Sequence, residues 1–143
     1  MLGDQILDAK GRDVATVAPD ASIADAVREL AERNVGALVV SADGSSVDGI
    51  VSERDIVRQL ASEPDVLSRR VSELMVHDVA TCDCRTGIDE LMGTMTTRRF
   101  RHVPVVQDGR LCGIVSIGDV VKARIDELAT ETQQLVGYIQ NGR

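Results

Sequence analysis

Gly49-Ile50-Val51-Ser52 decides the fold, because the same four residues return later as Gly113-Ile114-Val115-Ser116. In each copy an aspartate follows three residues after the serine, Asp55 in the first and Asp119 in the second. The tetrapeptide opens with glycine after a turn-rich stretch and continues with two β-branched residues, a pattern typical of the second strand of a hairpin. The sequence therefore predicts the same strand and helix start twice.

A second repeated tetrapeptide extends this similarity towards the amino terminus. Asp13-Val14-Ala15-Thr16 recurs as Asp78-Val79-Ala80-Thr81, and the offsets of the two repeated tetrapeptides differ by one residue. Self-similarity at a nearly fixed period is the signature of a repeated structural unit. We therefore expect two homologous units with one small loop change between them.

Each unit contains an amphipathic helix after the first tetrapeptide. Apolar residues recur there at the i, i+3, i+4 spacing of a one-sided helix. In the first copy Ser22 and Asp25 are the predicted start of this helix, and in the second copy Thr86 and Asp89. The apolar positions are Ile23, Ala26, Val27, Leu30 and Ala31 in the first copy, and Ile88, Leu91, Met92 and Met95 in the second.

A hairpin follows this helix in each copy. Residues 37–40 and 103–106 are short β-rich runs, and each precedes an Asp-Gly turn signal. Pro104 cannot donate to a strand ladder, so it is predicted at the start or the edge of its strand. A second helix then ends near Pro64 in the first copy, and residues 66–75 are predicted as a short connecting helix. The expected fold is α/β (α+β), with two tandem β-α-β-β-α motifs.

The last helix is predicted to be longer than its counterpart. Its apolar residues follow the alternating spacing of four and three that is typical of a coiled-coil seam. These residues either pack on their own domain or contact a second copy of the chain, and the sequence leaves both interpretations open. The seam positions are Val121, Ile125, Leu128, Thr132, Leu135 and Ile139, and all of them except Thr132 are apolar.

Composition restricts the classes of function. The chain has 143 residues, a formal net charge of −7 and 1% aromatic residues. An acidic chain without exposed rings is a poor match for duplex or single-stranded nucleic acid. Because no apolar run approaches the roughly 20 residues of a membrane helix, we expect a cytoplasmic protein that binds neither nucleic acid nor membrane. A local basic cluster, Arg98, Arg99, Arg101 and His102, could still hold a small anion.

The ordered duplicate resembles a pair of CBS motifs, the arrangement known as a Bateman module. The resemblance covers nearly the whole chain, with residues 1–65 as the first motif and residues 66–143 as the connecting helix, the second motif and the extended last helix. It implies pseudo-twofold symmetry, two small central sheets flanked by helices, and two clefts that bind AMP, ADP, ATP or a related adenosyl ligand. It also implies a homodimer, a regulatory rather than catalytic role and an effector protein whose identity the sequence leaves open.

Asp55 and Asp119 are the candidates for binding the ribose in such clefts. A carboxylate that accepts hydrogen bonds from two ribose hydroxyls is a recurring solution for this sugar. Ser52 and Ser116 would add a hydroxyl at a helix amino terminus, where backbone N–H groups favour phosphate. Ser-x-x-Asp is also an ordinary helix-capping pattern, and the alternative is that these residues serve the helix alone.

The remaining candidates surround the base and the phosphate. With so few aromatic residues, adenine would lie between aliphatic side chains such as Ile50, Val51, Ile114 and Val115. Arg101-His102-Val103-Pro104 aligns with Val35-Gly36-Ala37-Leu38 in this interpretation, so the second cleft is expected to be the more basic of two non-equivalent clefts. Candidate residues for the base edge are Gly36, Ala37, Leu38, Val103 and Pro104. Candidates for the phosphate are Arg54, Arg101 and His102. The resemblance to the family adds Thr16 and Thr81 as candidates for contact with the ligand.

The sequence gives less support to three other interpretations. Catalysis is not expected, because the chain has neither a Gly-x-Ser-x-Gly nucleophile elbow nor a Walker loop. A zinc site would draw on Cys82, Cys84 and Cys112 with a histidine, but Cys-x-Cys is not the spacing of common zinc motifs, and buried cysteines usually act as small apolar residues. The serious alternative is a dimerising interaction module that binds no ligand.

Overall fold

The structure, a computed structural model, describes residues 2–141, without the side chains of residues 138, 140 and 141. A first helix, α1 (Gly3–Lys10), precedes the repeats. The first repeat contains β1 (Thr16–Val17), α2 (Ile23–Arg33), β2 (Ala37–Val40), β3 (Gly49–Ser52) and α3 (Glu53–Ser62). After a 3₁₀ helix (Pro64–Ser68) and α4 (Val71–Leu74), the second repeat contains α5 (Ile88–Arg98), β4 (His102–Gln107), β5 (Arg110–Ser116) and α6 (Ile117–Asn141).

Two small sheets form the centre of the molecule, and this confirms the predicted α+β class. In the first, β1 pairs with β2 in parallel and β2 pairs with β3 in antiparallel orientation. In the second, β4 and β5 form the predicted hairpin. The counterpart of β1 is reduced to a parallel bridge between Cys82 and Val105. The carbonyl oxygen of Pro104 faces this edge and accepts a hydrogen bond from the Cys82 N–H at 3.0 Å. The nitrogen of Pro104 faces the same edge, so its missing N–H interrupts no hydrogen bond between β4 and β5.

Two details of the helices differ from the sequence-based expectation. Helix α5 begins after Gly87 and not after Thr86, because the Thr86 hydroxyl instead accepts from the Asp83 N–H in the preceding turn. The connecting segment is not one helix but the 3₁₀ helix and α4. Residues 69–70 between them are extended, since the Arg69 carbonyl accepts from the Ile23 N–H at 2.8 Å.

Each repeat is completed by the helix that precedes the other repeat. Ile6 and Leu7 of α1 belong to the apolar core of the second repeat, whereas Val71 of α4 belongs to the core of the first. Gly113 lies so close to α1 that an added Cβ would be 2.6 Å from the Leu7 methyl carbons. The two repeats are therefore interlocked, and the ends of α1 and α4 are placed next to the repeated strands.

None of the helices in the described part of the chain combines the length and the apolarity that crossing a membrane requires.

Candidate functional site

A cleft of about 710 Å³ lies between the two repeats. One side is formed by the amino terminus of α3, and the other by the segment that joins α5 to β4. Its lining residues are Gly36, Ile50, Ser52, Glu53, Arg54, Asp55, Arg58, Val76, Val79, Met95, Arg99, Phe100, Arg101, His102 and Ile117. A volume of this size is within the range of small-molecule sites.

The Ser52–Asp55 element begins α3 as a complete capping box. The Asp55 N–H donates to the Ser52 hydroxyl at 3.2 Å, and the Asp55 carboxylate accepts from the Ser52 hydroxyl at 2.8 Å and from the Ser52 N–H at 3.3 Å. All of these carboxylate contacts are made by Oδ2. The capping role is therefore real, and Asp55 combines it with a half-buried position on the cleft wall.

Four arginines line the same cleft, Arg54 and Arg58 from α3 and Arg99 and Arg101 from the second repeat. Within residues 2–141 none of the four forms an ion pair with a carboxylate. All four are exposed at the surface. In a chain of net charge −7, this is a local concentration of positive charge that suits an anionic ligand.

His102, the first residue of β4, lines the cleft and is half-buried. Its imidazole Nε2 and the Glu53 carboxylate flank Gly36, where an added Cβ would be 3.9 Å from His102 and 3.5 Å from Glu53. Burial, with the positive charge of Lys10 next, lowers the pKa of His102 below its ordinary value. The neutral imidazole can accept or donate one hydrogen bond to a ligand at pH 7.

The apolar part of the cleft is aliphatic except for one ring. Ile50, Val79, Met95 and Ile117 line it together with Phe100, over whose ring the Arg98 guanidinium stacks at 4.9 Å. Val51 and Val115, also considered for the base, are fully buried in the cores, because strand side chains alternate between the two faces of the sheet.

The structure brings together six of the predicted site residues and separates the others from this cleft. Those along it are Gly36, Ser52, Arg54, Asp55, Arg101 and His102. Those outside its lining are Thr16, Ala37, Leu38, Thr81, Val103, Pro104, Ser116 and Asp119. Leu38 and Val103 are fully buried core side chains.

Arg101 and His102 lie beside the second Ser-x-x-Asp element, since the Ile117 N–H donates to the Arg101 carbonyl at 2.8 Å and His102 pairs with Ser116. Both residues also line the cleft that contains the first element, on the side opposite α3. The alignment of the repeats also shifts by one residue. Ala37 pairs with Ser52 as His102 pairs with Ser116, so Arg101 is the counterpart of Gly36. The sequence alignment missed this because the single-residue offset lies in the hairpin loops.

Asp119, the counterpart of Asp55, has a different environment. Its Oδ2 accepts from the Ser116 N–H at 2.8 Å and from Lys10 Nζ at 2.5 Å. Burial on its own would raise the pKa of Asp119, but the Lys10 and Ser116 hydrogen bonds outweigh it, and the pKa is lowered. The second Ser-x-x-Asp element is therefore already engaged by a cation of the same chain.

The three cysteines pack at the edge of the second core. Cys84 and Cys112 approach to 3.8 Å between their sulfur atoms, and burial raises the pKa of the Cys82 thiol to about 12. Metal ligation requires the thiolate. Among the residues that the structure describes, no group of three or more His, Cys, Asp or Glu is arranged to hold a metal ion.

Comparison with known proteins gives the same two units. The sequence pattern of the CBS domain matches residues 8–62 and 71–126. The chain belongs to the CBS domain family. The match in the first repeat contains the whole Ser52–Asp55 element, and the match in the second repeat contains Asp119.

Relatives and solved structures agree with this assignment. A CBS-domain protein of Agrobacterium tumefaciens is 49% identical and has a TM-score of 0.82, covering 87% of this chain and 99% of that chain. A CBS domain pair crystallised with 5′-methylthioadenosine and S-adenosylmethionine is 26% identical, with a TM-score of 0.78 and coverage of 89% and 98%. The mitochondrial CBS domain-containing protein CBSX3 of Arabidopsis thaliana is 38% identical over 128 residues, 86% of this chain but 62% of that protein.

Several lining residues were not predicted from the sequence. Arg58 follows Arg54 by four residues, so the helical spacing placed both on one face of α3 and could have identified it. Val76 and Val79 had no such signal. They reach the cleft because the Val76 backbone pairs with Ile50 of the other repeat, a contact between distant parts of the chain.

Proposed function

We propose that the CBS pair is a regulatory module that binds an adenine nucleotide in the cleft between its repeats. The observation that carries this proposal is that Asp55 shares its cleft with four arginines that form no ion pair with a carboxylate among the described residues. Asp55 would accept the ribose hydroxyls, Ile50 and Phe100 would contact the base, and the arginines would bind the phosphates. A structural neighbour that binds adenosyl ligands supports the choice of adenosine.

The charge of the cleft favours a phosphorylated ligand. Four guanidinium groups face only two carboxylates, Glu53 and Asp55, among the lining residues. S-adenosylmethionine carries a net positive charge and methylthioadenosine carries none, so the surplus of positive charge in the cleft attracts neither. It attracts ATP, ADP and AMP, whose negative charge decreases in that order. We therefore propose a nucleotide with a phosphate tail as the ligand of this chain, and no catalytic step is part of the proposal.

A cytoplasmic location stays a prediction.

Calorimetric titration with ATP, ADP, AMP, NAD and S-adenosylmethionine tests the proposal. ATP should bind more tightly than AMP by about tenfold or more, because each additional charge-assisted phosphate contact is worth roughly 1.5–3 kcal/mol. Its affinity should fall as the salt concentration rises. S-adenosylmethionine should show no binding under the same conditions. The nucleotide proposal fails if none of the phosphorylated ligands binds, which is the result expected of a ligand-free interaction module.

The long helix α6 supports association of two chains. Val121, Ile125 and Leu128 are 49%, 59% and 49% exposed, so they do not pack on their own domain. Farther along, Leu135 and Ile139 are also exposed and continue the coiled-coil spacing of four and three. Monomeric proteins rarely leave so continuous an apolar stripe in water. We propose that a second copy of the chain covers it.

Replacing Ile125 with glutamate should convert the dimer to a monomer, because a buried carboxylate in the seam would have no partner. Sedimentation equilibrium measures the change in mass. The matched control is Val27→Glu, which puts the same charge on α2 at a residue that is 38% exposed and should leave the dimer intact. A wild-type chain that sediments as a monomer at every concentration would refute the proposed dimer.

A further inference from the structure

Lys10, the last residue of α1, binds the second Ser-x-x-Asp element. Its ammonium group donates to the carboxylate of Asp119 at 2.5 Å and to the carbonyl oxygen of Ile114 at 2.9 Å. The pair is only partly accessible, with side-chain exposures of 32% for Lys10 and 22% for Asp119. A partly buried ion pair with a second, backbone hydrogen bond is more persistent than an exposed one.

Among residues 2–141, no such cation lies at the equivalent place of the first repeat. There the carbonyl oxygen of Ile50, the counterpart of Ile114, accepts from the backbone N–H of Val76 at 2.8 Å. Met75 packs on Gly49 as Leu7 packs on Gly113, and directly after it the backbone of Val76 pairs with Ile50. Among the residues that the structure describes, Asp55 accepts side-chain hydrogen bonds only from its own capping residue, Ser52.

Helix α1 is held at its start and in its middle by contacts that do not involve Lys10. The Gly3 N–H donates to the Thr86 carbonyl at 2.8 Å and the Asp4 N–H to the Cys84 carbonyl at 2.9 Å. Leu7 is fully buried in the second core. Removing the Lys10–Asp119 pair therefore leaves most of the contacts that hold α1 in place.

We propose that Lys10 closes the second ribose-binding element, so that each chain binds one nucleotide, at Asp55. This inference rests on the proposed nucleotide function. The ammonium group of Lys10 binds the Asp119 carboxylate, which would otherwise accept hydrogen bonds from the ribose hydroxyls. It also neutralises the charge of that carboxylate. The single lysine, rather than the scaffold of the repeat, decides how many nucleotides the chain binds.

Calorimetric titration with ATP of the wild-type chain and of Lys10→Met tests the inference. The substitution removes the ammonium group and keeps an unbranched side chain of similar length. We expect one bound ATP per wild-type chain and two per Lys10→Met chain, and one again when Asp119→Ala is added to Lys10→Met. Lys10→Ala, which keeps a good helix former, should give the same result if methionine lowers the melting temperature.

Arg12→Met is the matched control. Arg12 follows α1 and binds Asp4 and Asp8 of that helix, at 2.6 Å and 2.5 Å, so its loss removes one positive charge without touching Asp119. It should leave one bound ATP. Two bound ATP in the wild-type chain, or one in Lys10→Met, would overturn the inference while leaving the nucleotide function intact. Absence of binding to every variant would overturn both.

Discussion

Replacing Asp55 with alanine should lower the affinity for ATP by about 100-fold or more. The carboxylate would accept hydrogen bonds from two ribose hydroxyls, and bonds to a charged group contribute roughly 1.5–3 kcal/mol each. The substitution also removes one half of the capping box of α3, which should reduce the free energy of unfolding by about 1 kcal/mol. Calorimetry gives the affinity, and thermal unfolding shows that the variant remains folded at the titration temperature.

Asp119→Ala is the matched control for this experiment. Asp119 makes the same capping contacts at the start of α6, with its own N–H donating to the Ser116 hydroxyl at 3.1 Å, but it lies outside the lining of the cleft. Because its loss also removes the ion pair with Lys10, it should cost at least as much stability as the loss of Asp55, but it should leave ATP affinity within about twofold. Equal losses of affinity in the two variants would show that helix capping, and not contact with ribose, explains the effect of Asp55.

Gly49→Ala should lower the stability of the fold markedly, although it adds only one methyl group. A Cβ at this position would lie 2.7 Å from the backbone oxygen of Val76 and 2.8 Å from the Met75 sulfur. The sulfur can move, but the backbone oxygen cannot without breaking the pairing of Val76 with Ile50. Overpacking of this kind costs about 1–3 kcal/mol, which corresponds to a fall in melting temperature of roughly 3–12 °C. Because Val76 lines the cleft, ATP affinity should fall as well.

Gly93→Ala is the control for the glycine substitution. Gly93 is an exposed residue inside α5, and a Cβ there would meet no atom within 4 Å. Alanine should raise the stability by up to about 1 kcal/mol, since it has the higher helix propensity. A Gly49→Ala variant that melts at the same temperature as the wild-type chain would contradict the packing of the linker against β3.

The fold was predictable from the sequence because its determinants are local and occur twice. The repeated Gly-Ile-Val-Ser strand, the Asp-Gly turns and the one-sided apolar spacing each specify an element within a few residues. The larger error, in the connecting segment, occurred where a contact with a distant residue decided the structure. Residues 69–70 are extended because they pair with the segment before α2, and no local pattern indicates this.

The chemical elements of the site were predictable, but their grouping was not. Asp55 and Arg101 were both identified from residue type and position, and each was assigned to the cleft of its own repeat. The structure places them on opposite walls of one cleft, since that cleft lies between the repeats. The partner of Asp119 was not predicted either, because Lys10 is separated from it by 109 residues of sequence.

Backbone amide chemical shifts recorded during an ATP titration test the central claim most directly, because they locate the bound nucleotide. The account predicts saturable changes concentrated at Gly36, at Ser52–Asp55 and at Arg99–His102, with small changes at Ser116 and Asp119. Changes that are largest around Ser116 and Asp119, or the absence of saturable changes at the residues of the cleft, would contradict it.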